Sequence, residues 1–167
     1  MAHDYGLKFL SPTVNLWMSF DDFVLLANNL KTYLDCPLVN SMIYSYPSGT
    51  IIGFKYGIED ITIHFKHYKT FEEAASKRKE RSERVLYANI RIVVMLLSLS
   101  EKDYIKLNTI PYDKVLITGQ SYKENLPNVV ICRKLLRKDN PNAFKGVFDR
   151  KDYEVFDVST FLLPKNN

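Results

Sequence analysis

Cysteine is scarce: Cys36 and Cys132 stand far apart in the 167-residue chain, with no Cys-x-x-Cys pair and no zinc-site spacing. This excludes a disulfide framework and a structural zinc site, and both residues read as buried thiols of a reducing compartment. None of the six glycines falls in a Gly-x-Gly-x-x-Gly turn, a P-loop or a Gly-x-Ser-x-Gly elbow, so the usual dinucleotide, nucleoside triphosphate and serine-hydrolase fingerprints are absent. A His-Glu-x-x-His helix is absent too. No cofactor and no metal is expected.

Long hydrophobic runs are also missing. The longest apolar stretch, Ile92 to Leu97, is far short of the ~20 residues that a membrane-spanning helix needs. The opening residues Met1-Ala-His-Asp-Tyr-Gly-Leu-Lys lack a basic region followed by an apolar run, so no secretory signal is read there. Repeats, low-complexity tracts and long linkers do not occur. No sign of charge dominates: the net charge of +4 suits an anionic small molecule, a membrane surface or nucleic acid about equally.

What is present is ordinary globular material. A hydrophobic fraction of 46% and a charged fraction of 25% argue against disorder and against a fibrous architecture. The length suits one domain over residues 1–167, burying roughly 70% of the surface of the unfolded chain. The eleven Tyr and ten Phe suit a packed core or a wet cleft.

Thr13 to Met18 reads as a short strand, and Ser19 as the N-cap of a helix with Phe20, Phe23, Val24, Ala27, Leu30 and Leu34 on one face, ended by Pro37. A hairpin follows: Leu38 to Tyr46 and Thr50 to Tyr56 around the turn residues Pro47-Ser48-Gly49. Asp60 to Tyr68 alternates as a strand with one buried face. Thr70-Phe-Glu-Glu73 is a capping box for a helix to about Tyr87. Arg91 to Ser98 is apolar enough to predict a central strand covered on both faces. Ser100 caps a helix from Glu101 to about Asn108, and Lys114 to Thr118 and Val129 to Arg133 are further strands. The tail from Asp152 to Leu163 reads as a docking helix. The alternation predicts an α/β fold with a mainly parallel sheet sandwiched by helices and an inserted β-hairpin.

Chemistry concentrates in Asp60-Ile-Thr-Ile-His64-Phe-Lys-His67-Tyr-Lys69 and the helix after it. Lys77, Arg81 and Arg84 occupy a narrow arc of that helix. Lys77 and Arg81 are like charges at i,i+4, an arrangement that an anion would relieve, and a guanidinium fork suits phosphate or carboxylate. The plainer reading also stands: Glu73 lies four residues before Lys77 and Glu80 four before Arg84, so surface pairing could account for the helix. His64 and His67 fall on opposite faces of a continuous strand and share no metal unless the strand ends between them. Either one beside a phosphate could act as a general acid or base, and either could be a packed imidazole. Asp21-Asp22 reads as a helix N-terminal pair. The basic helix lacks interleaved aromatics, so a nucleic-acid partner is not expected.

The blocks Tyr5-Gly-Leu-Lys-Phe-Leu-Ser-Pro-Thr-Val, Tyr46-Pro47, Asp60-Ile-Thr-Ile-His-Phe-Lys-His-Tyr-Lys, Glu72-Glu-Ala and Lys77, Arg81, Arg84 resemble, over nearly the whole chain, a bacterial family of exopolysaccharide or capsule biosynthesis proteins. The Ser-Pro-Thr and Ile-His-Phe-x-His-Tyr-Lys blocks are the most specific. The resemblance implies a transferase-like domain that binds a phosphorylated or nucleotide-linked sugar. Lys77, Arg81 and Arg84 would hold the anion, His64 or His67 would move a proton, and Ser11 and Thr13 would add polar contacts. The alternative is a non-catalytic accessory domain docking on the polysaccharide synthesis proteins, its cations facing an acidic partner or lipid headgroups. The implied location is cytoplasmic, with attachment at the inner face of the membrane left open. The family pattern has a tryptophan just after the helix lysine and two adjacent arginines further on, where this chain has Arg78 and Glu80. Its members open with a strand and glycine-containing turn before the Tyr-Gly-Leu block, which this chain is expected to lack.

Overall fold

The computed structural model describes residues 16–41, 47–133 and 136, which fall in two compact units: one holds residues 16–41, 47–87 and 107–111, the other 88–106, 112–133 and 136. The part of the first expected strand before residue 16 and the expected tail helix lie outside the described residues.

In the first unit Ser19 caps α1 (Phe20–Asn28), its Oγ accepting from the Asp22 amide at 3.0 Å. Asp21 and Asp22 occupy the first turn, where the helix dipole favours negative charge. The apolar periodicity predicts one helix to Leu34, but the helix breaks at Asn29 (φ −126°, ψ 37°) and α2 (Leu30–Asp35) starts afresh. Asparagine competes with helical hydrogen bonding through its own side chain, while the inward face survives the break: Val24, Leu26, Ala27, Tyr33 and Leu34 are all buried.

The expected hairpin is present as β1 (Leu38–Asn40) and β2 (Ser48–Ile51), antiparallel, with β3 (Ile61–His64) added on the far side of β2. The turn residues are misplaced by the sequence reading. Ser48 and Gly49 lie inside β2, opposite His64 and Ile63. Gly49 answers to packing: a Cβ there would meet Leu38 Cδ1 at 2.8 Å and Phe71 Cε2 at 2.9 Å. The second hairpin strand stops at Ile51, short of Tyr56, because Phe54–Tyr56 forms a 3₁₀ turn closed by Gly57 at φ 76°. Asp60 Oδ1 braces that turn by accepting from the amides of Gly53 at 2.8 Å and Phe54 at 3.0 Å. A Cβ on Gly53 would strike the Glu59 carbonyl oxygen. Gly53→Ala should therefore cost about 1–3 kcal/mol, the usual range for overpacking, measured as a lower urea midpoint with an unchanged slope.

β3 ends at His64 instead of Tyr68. Ile61, Ile63 and Phe65 are buried and join Leu26, Tyr33, Cys36, Ile51 and Ala74 in one core. α3 (Phe71–Ser82) starts on Thr70, whose Oγ1 accepts from the Glu73 amide at 3.2 Å, and stops before the expected Tyr87. The amides of Arg84 and Val85 turn to the carbonyls of Arg81 and Ser82 in tightened i→i+3 bonds that close the helix.

The second unit carries β4 (Arg91–Leu99), β5 (Asp113–Ser121) and β6 (Val129–Ile131), parallel throughout and in that order, and the first six residues of α4 (Glu101–Thr109), which follows β4 in the chain. Ser100 caps α4, accepting from the Asp103 amide at 3.1 Å. The fold is thus α/β, with a parallel sheet and a hairpin-based antiparallel sheet. Among the described residues β5 lies between β4 and β6. Val115 to Thr118 is buried, whereas β4 is mostly half-buried and paired along one side. Cys36 and Cys132 are buried and are not joined in a disulfide.

Candidate functional site

Five cations and two carboxylates occupy Lys77 to Arg84, and α3 sorts them by face. Phe71, Ala74, Ala75, Arg78 and Ser82 recur at three- and four-residue spacing and are buried or half-buried. Lys77 and Arg84 face water. Lys77 Nζ donates to Glu80 Oε2 at 3.0 Å, Arg84 Nη2 lies 3.3 Å from Glu80 Oε1, and Arg84 Nε donates to the Glu80 carbonyl at 3.2 Å. The hydrogen bond from Lys77, then the charges of Lys77 and Arg84, hold the Glu80 carboxyl below the usual carboxylate range, and Arg81 adds to the effect. Two of the three cations singled out in the sequence, Lys77 and Arg84, thus share one carboxylate. Pairing is present, as the plainer reading held, but Lys77 uses Glu80 and not Glu73. Such exposed pairs contribute little in water and weaken further in salt. They are exchangeable, and a phosphate could take the place of the Glu80 carboxylate.

The two histidines part company. His64 is 6% exposed; its ring lies 4.7 Å from that of Trp17, and the two residues exchange backbone hydrogen bonds of 2.9 and 2.8 Å. Burial, then the charge of Lys66, lowers its pKa from the ordinary imidazole value, while Asp22 opposes them weakly. His67 follows in the turn between β3 and α3 and is exposed. The strand does end between them, yet among the described residues no group of three or more His, Cys, Asp or Glu could hold a metal ion. Ser11 and Thr13 lie outside the described residues. Among the described residues no helix is long and apolar enough to cross a membrane.

Arg78 was missed by the sequence reading. It is 8% exposed, and its Nη2 donates to the Tyr33 carbonyl at 2.7 Å. That carbonyl lies in the last turn of α2, where helical acceptors lack an intrahelical partner, and the residue four further on, Pro37, has no N–H to offer. The guanidinium closes the helix end in its place. Burial lowers the Arg78 pKa, while neighbouring Cys36, whose own thiol is pushed up by burial, opposes it. The signal was available: Arg78 keeps phase with Ala74, Ala75 and Ser82. Trp17 was the second omission, being placed in a strand without notice of what it covers.

The model of a family described as "Domain of unknown function (DUF1919)" matches residues 1–163. A Haemophilus influenzae protein described as "Uncharacterized protein" is 33% identical over 164 residues, covering 94% of this chain and 75% of that protein.

Proposed function

We propose, for a chain that belongs to the DUF1919 family, that it is a transferase-like component of capsule or exopolysaccharide biosynthesis and binds a phosphorylated or nucleotide-linked sugar on α3. The observation that carries this reading is the surplus of positive charge at Glu80: Lys77 and Arg84 both pair with its carboxylate, and the charge of Arg81 acts weakly on the same group. A phosphate brings more charge and more acceptor oxygens than that carboxylate, so it competes for the same donors. The sugar rests on the sequence blocks around Ser11, Thr13, His64 and His67. Of the two histidines His67 suits proton transfer, being open to solvent, whereas His64 is enclosed by Trp17.

Isothermal titration with sugar phosphates, nucleotide sugars and inorganic phosphate tests the site. Arg81→Ala should weaken binding roughly ten- to a hundredfold, the loss of one charge-assisted hydrogen bond of about 1.5–3 kcal/mol, and Glu80→Gln should tighten it. His67→Gln should keep binding and lose turnover. Unchanged affinity in Arg81→Ala across all three ligand classes would remove the anion site.

The second reading is a non-catalytic accessory domain that docks on polysaccharide synthesis proteins. It is favoured by Phe54, 83% exposed, and Tyr56, 52% exposed, on the turn that Asp60 braces. Large aromatics held rigidly in water suit a partner surface.

A further inference from the structure

Strand alternation places Ile61 and Ile63 on the core side of β3 and Thr62 and His64 on the other. A residue on that outer side is expected to be wet, yet His64 is almost completely enclosed. What encloses it is the segment that leads into α1. Trp17 joins β3 through an antiparallel bridge to His64, its amide donating to the His64 carbonyl and its carbonyl accepting from the His64 amide in return. Leu16 and Met18, on either side, pack against the core, so Trp17 points the opposite way and lies on the imidazole. Lys66, two residues beyond His64, closes the stack, its Nζ standing 4.8 Å from the centroid of the Trp17 ring.

We propose that His64, Trp17 and Lys66 form a proton-operated latch: neutral His64 holds the 16–18 segment on β3, and protonation of His64 releases it. The closed arrangement is hostile to a second cation. Among the described residues Lys66 repels an imidazolium at His64 and Asp22 of α1 attracts one, while burial disfavours the charged ring. On β2 the residue opposite is Ser48, which carries no charge, and the bridging segment 16–18 has no charged residue. Opening restores water to the ring and increases its distance from Lys66. A proton therefore binds the open form more tightly than the closed one. By linkage, lowering the pH favours the open form.

The sign follows from the lowered pKa of the closed state. Above the ordinary imidazole value of ~6.5 both forms are neutral and the latch has its full strength. As the pH falls below that value the open form takes up the proton first and the latch weakens, until the pH passes the pKa of the closed form and the loss is complete. Two backbone hydrogen bonds, a ring contact and a cation–π contact join Trp17 to His64 and Lys66, and Leu16 and Met18 rest on the edge of the core as partly buried residues, so release of residues 16–18 leaves the fully buried residues of the unit in place.

Trp17 is the chain's single tryptophan, which makes its emission a direct report on the latch. Emission spectra and acrylamide quenching of the full chain, taken from pH 8 to pH 4 beside far-ultraviolet circular dichroism, should show a red shift and greater quenching with a midpoint below ~6.5 and unchanged secondary structure. Lys66→Met should raise the midpoint and Asp22→Asn should lower it. His64→Gln should remove the step, and His67→Gln should keep it. A flat profile, a step that persists in His64→Gln, or a step that coincides with loss of secondary structure overturns the latch. Should His64→Gln fail to fold, an unmoved midpoint in Lys66→Met overturns it instead.

Discussion

Phe65→Ala should lower the stability of the first unit by about 3–5 kcal/mol, the range for truncating a fully enclosed phenylalanine. The side chain has no exposed surface. Its ring meets Tyr68 edge-on at 6.1 Å and Phe71 at 6.2 Å, so two aromatic contacts are lost together with the transfer energy. Its amide donates to the Pro47 carbonyl at 2.8 Å, which fixes the backbone and leaves the surroundings little freedom to collapse into the cavity. Phe54→Ala is the control: that ring is largely in water, and its removal should change stability by no more than about 0.5 kcal/mol, as for an ordinary surface site. Urea unfolding followed by Trp17 emission reads both variants from inside the same unit. Equal midpoints for the two would mean that Phe65 does not anchor this core.

The contrast between those phenylalanines shows what was legible in the sequence. Alternation put Phe65 with Ile61 and Ile63 on the buried side of one strand, and all three are buried. Local chemistry likewise identified the caps: Ser19, Thr70 and Ser100 each accept the amide hydrogen bond that their sequence context predicts. Strand pairing was harder. Ser48 and Gly49 carry turn chemistry but sit in β2, since contacts from Leu38 and Phe71 demand a small residue there, and no short-range rule contains those partners.

The candidate site was legible by charge and illegible by depth. Counting cations singled out Lys77, Arg81 and Arg84; Lys77 and Arg84 pair with Glu80, and Arg81 adds only a weak electrostatic effect on it. His64 and His67 look equivalent in sequence, yet three residues of backbone separate a ring under Trp17 from one in open solvent. That difference comes from a bridge across the chain, between residues 17 and 64. Arg78 is the instructive omission: it drew notice only as a departure from the family pattern, although its helical phase places it with Ala74 and Ala75.

Arg78→Ala should destabilise the first unit by about 2–4 kcal/mol, combining an orphaned carbonyl, worth about 1–3 kcal/mol, with lost packing of the aliphatic stem. Two effects oppose each other at this side chain. Burial disfavours the charged guanidinium and lowers its pKa, so removing the charge recovers desolvation energy. Against that, its Nη2 supplies the Tyr33 carbonyl at 2.7 Å, at a helix end followed by a proline. Arg78→Met separates the terms, since it fills much of the same space without the charge or the donor. Were desolvation dominant, Met would match or exceed the parent, as hydrophobic replacements of buried charges often do. The short charge-assisted bond to a carbonyl with no amide of its own argues for the other outcome: Met should recover the packing share but remain about 1–2 kcal/mol below the parent, within the range for an unsatisfied buried acceptor. Urea midpoints for the parent and the two variants decide it, and a methionine variant as stable as the parent would show that the guanidinium is not what closes α2.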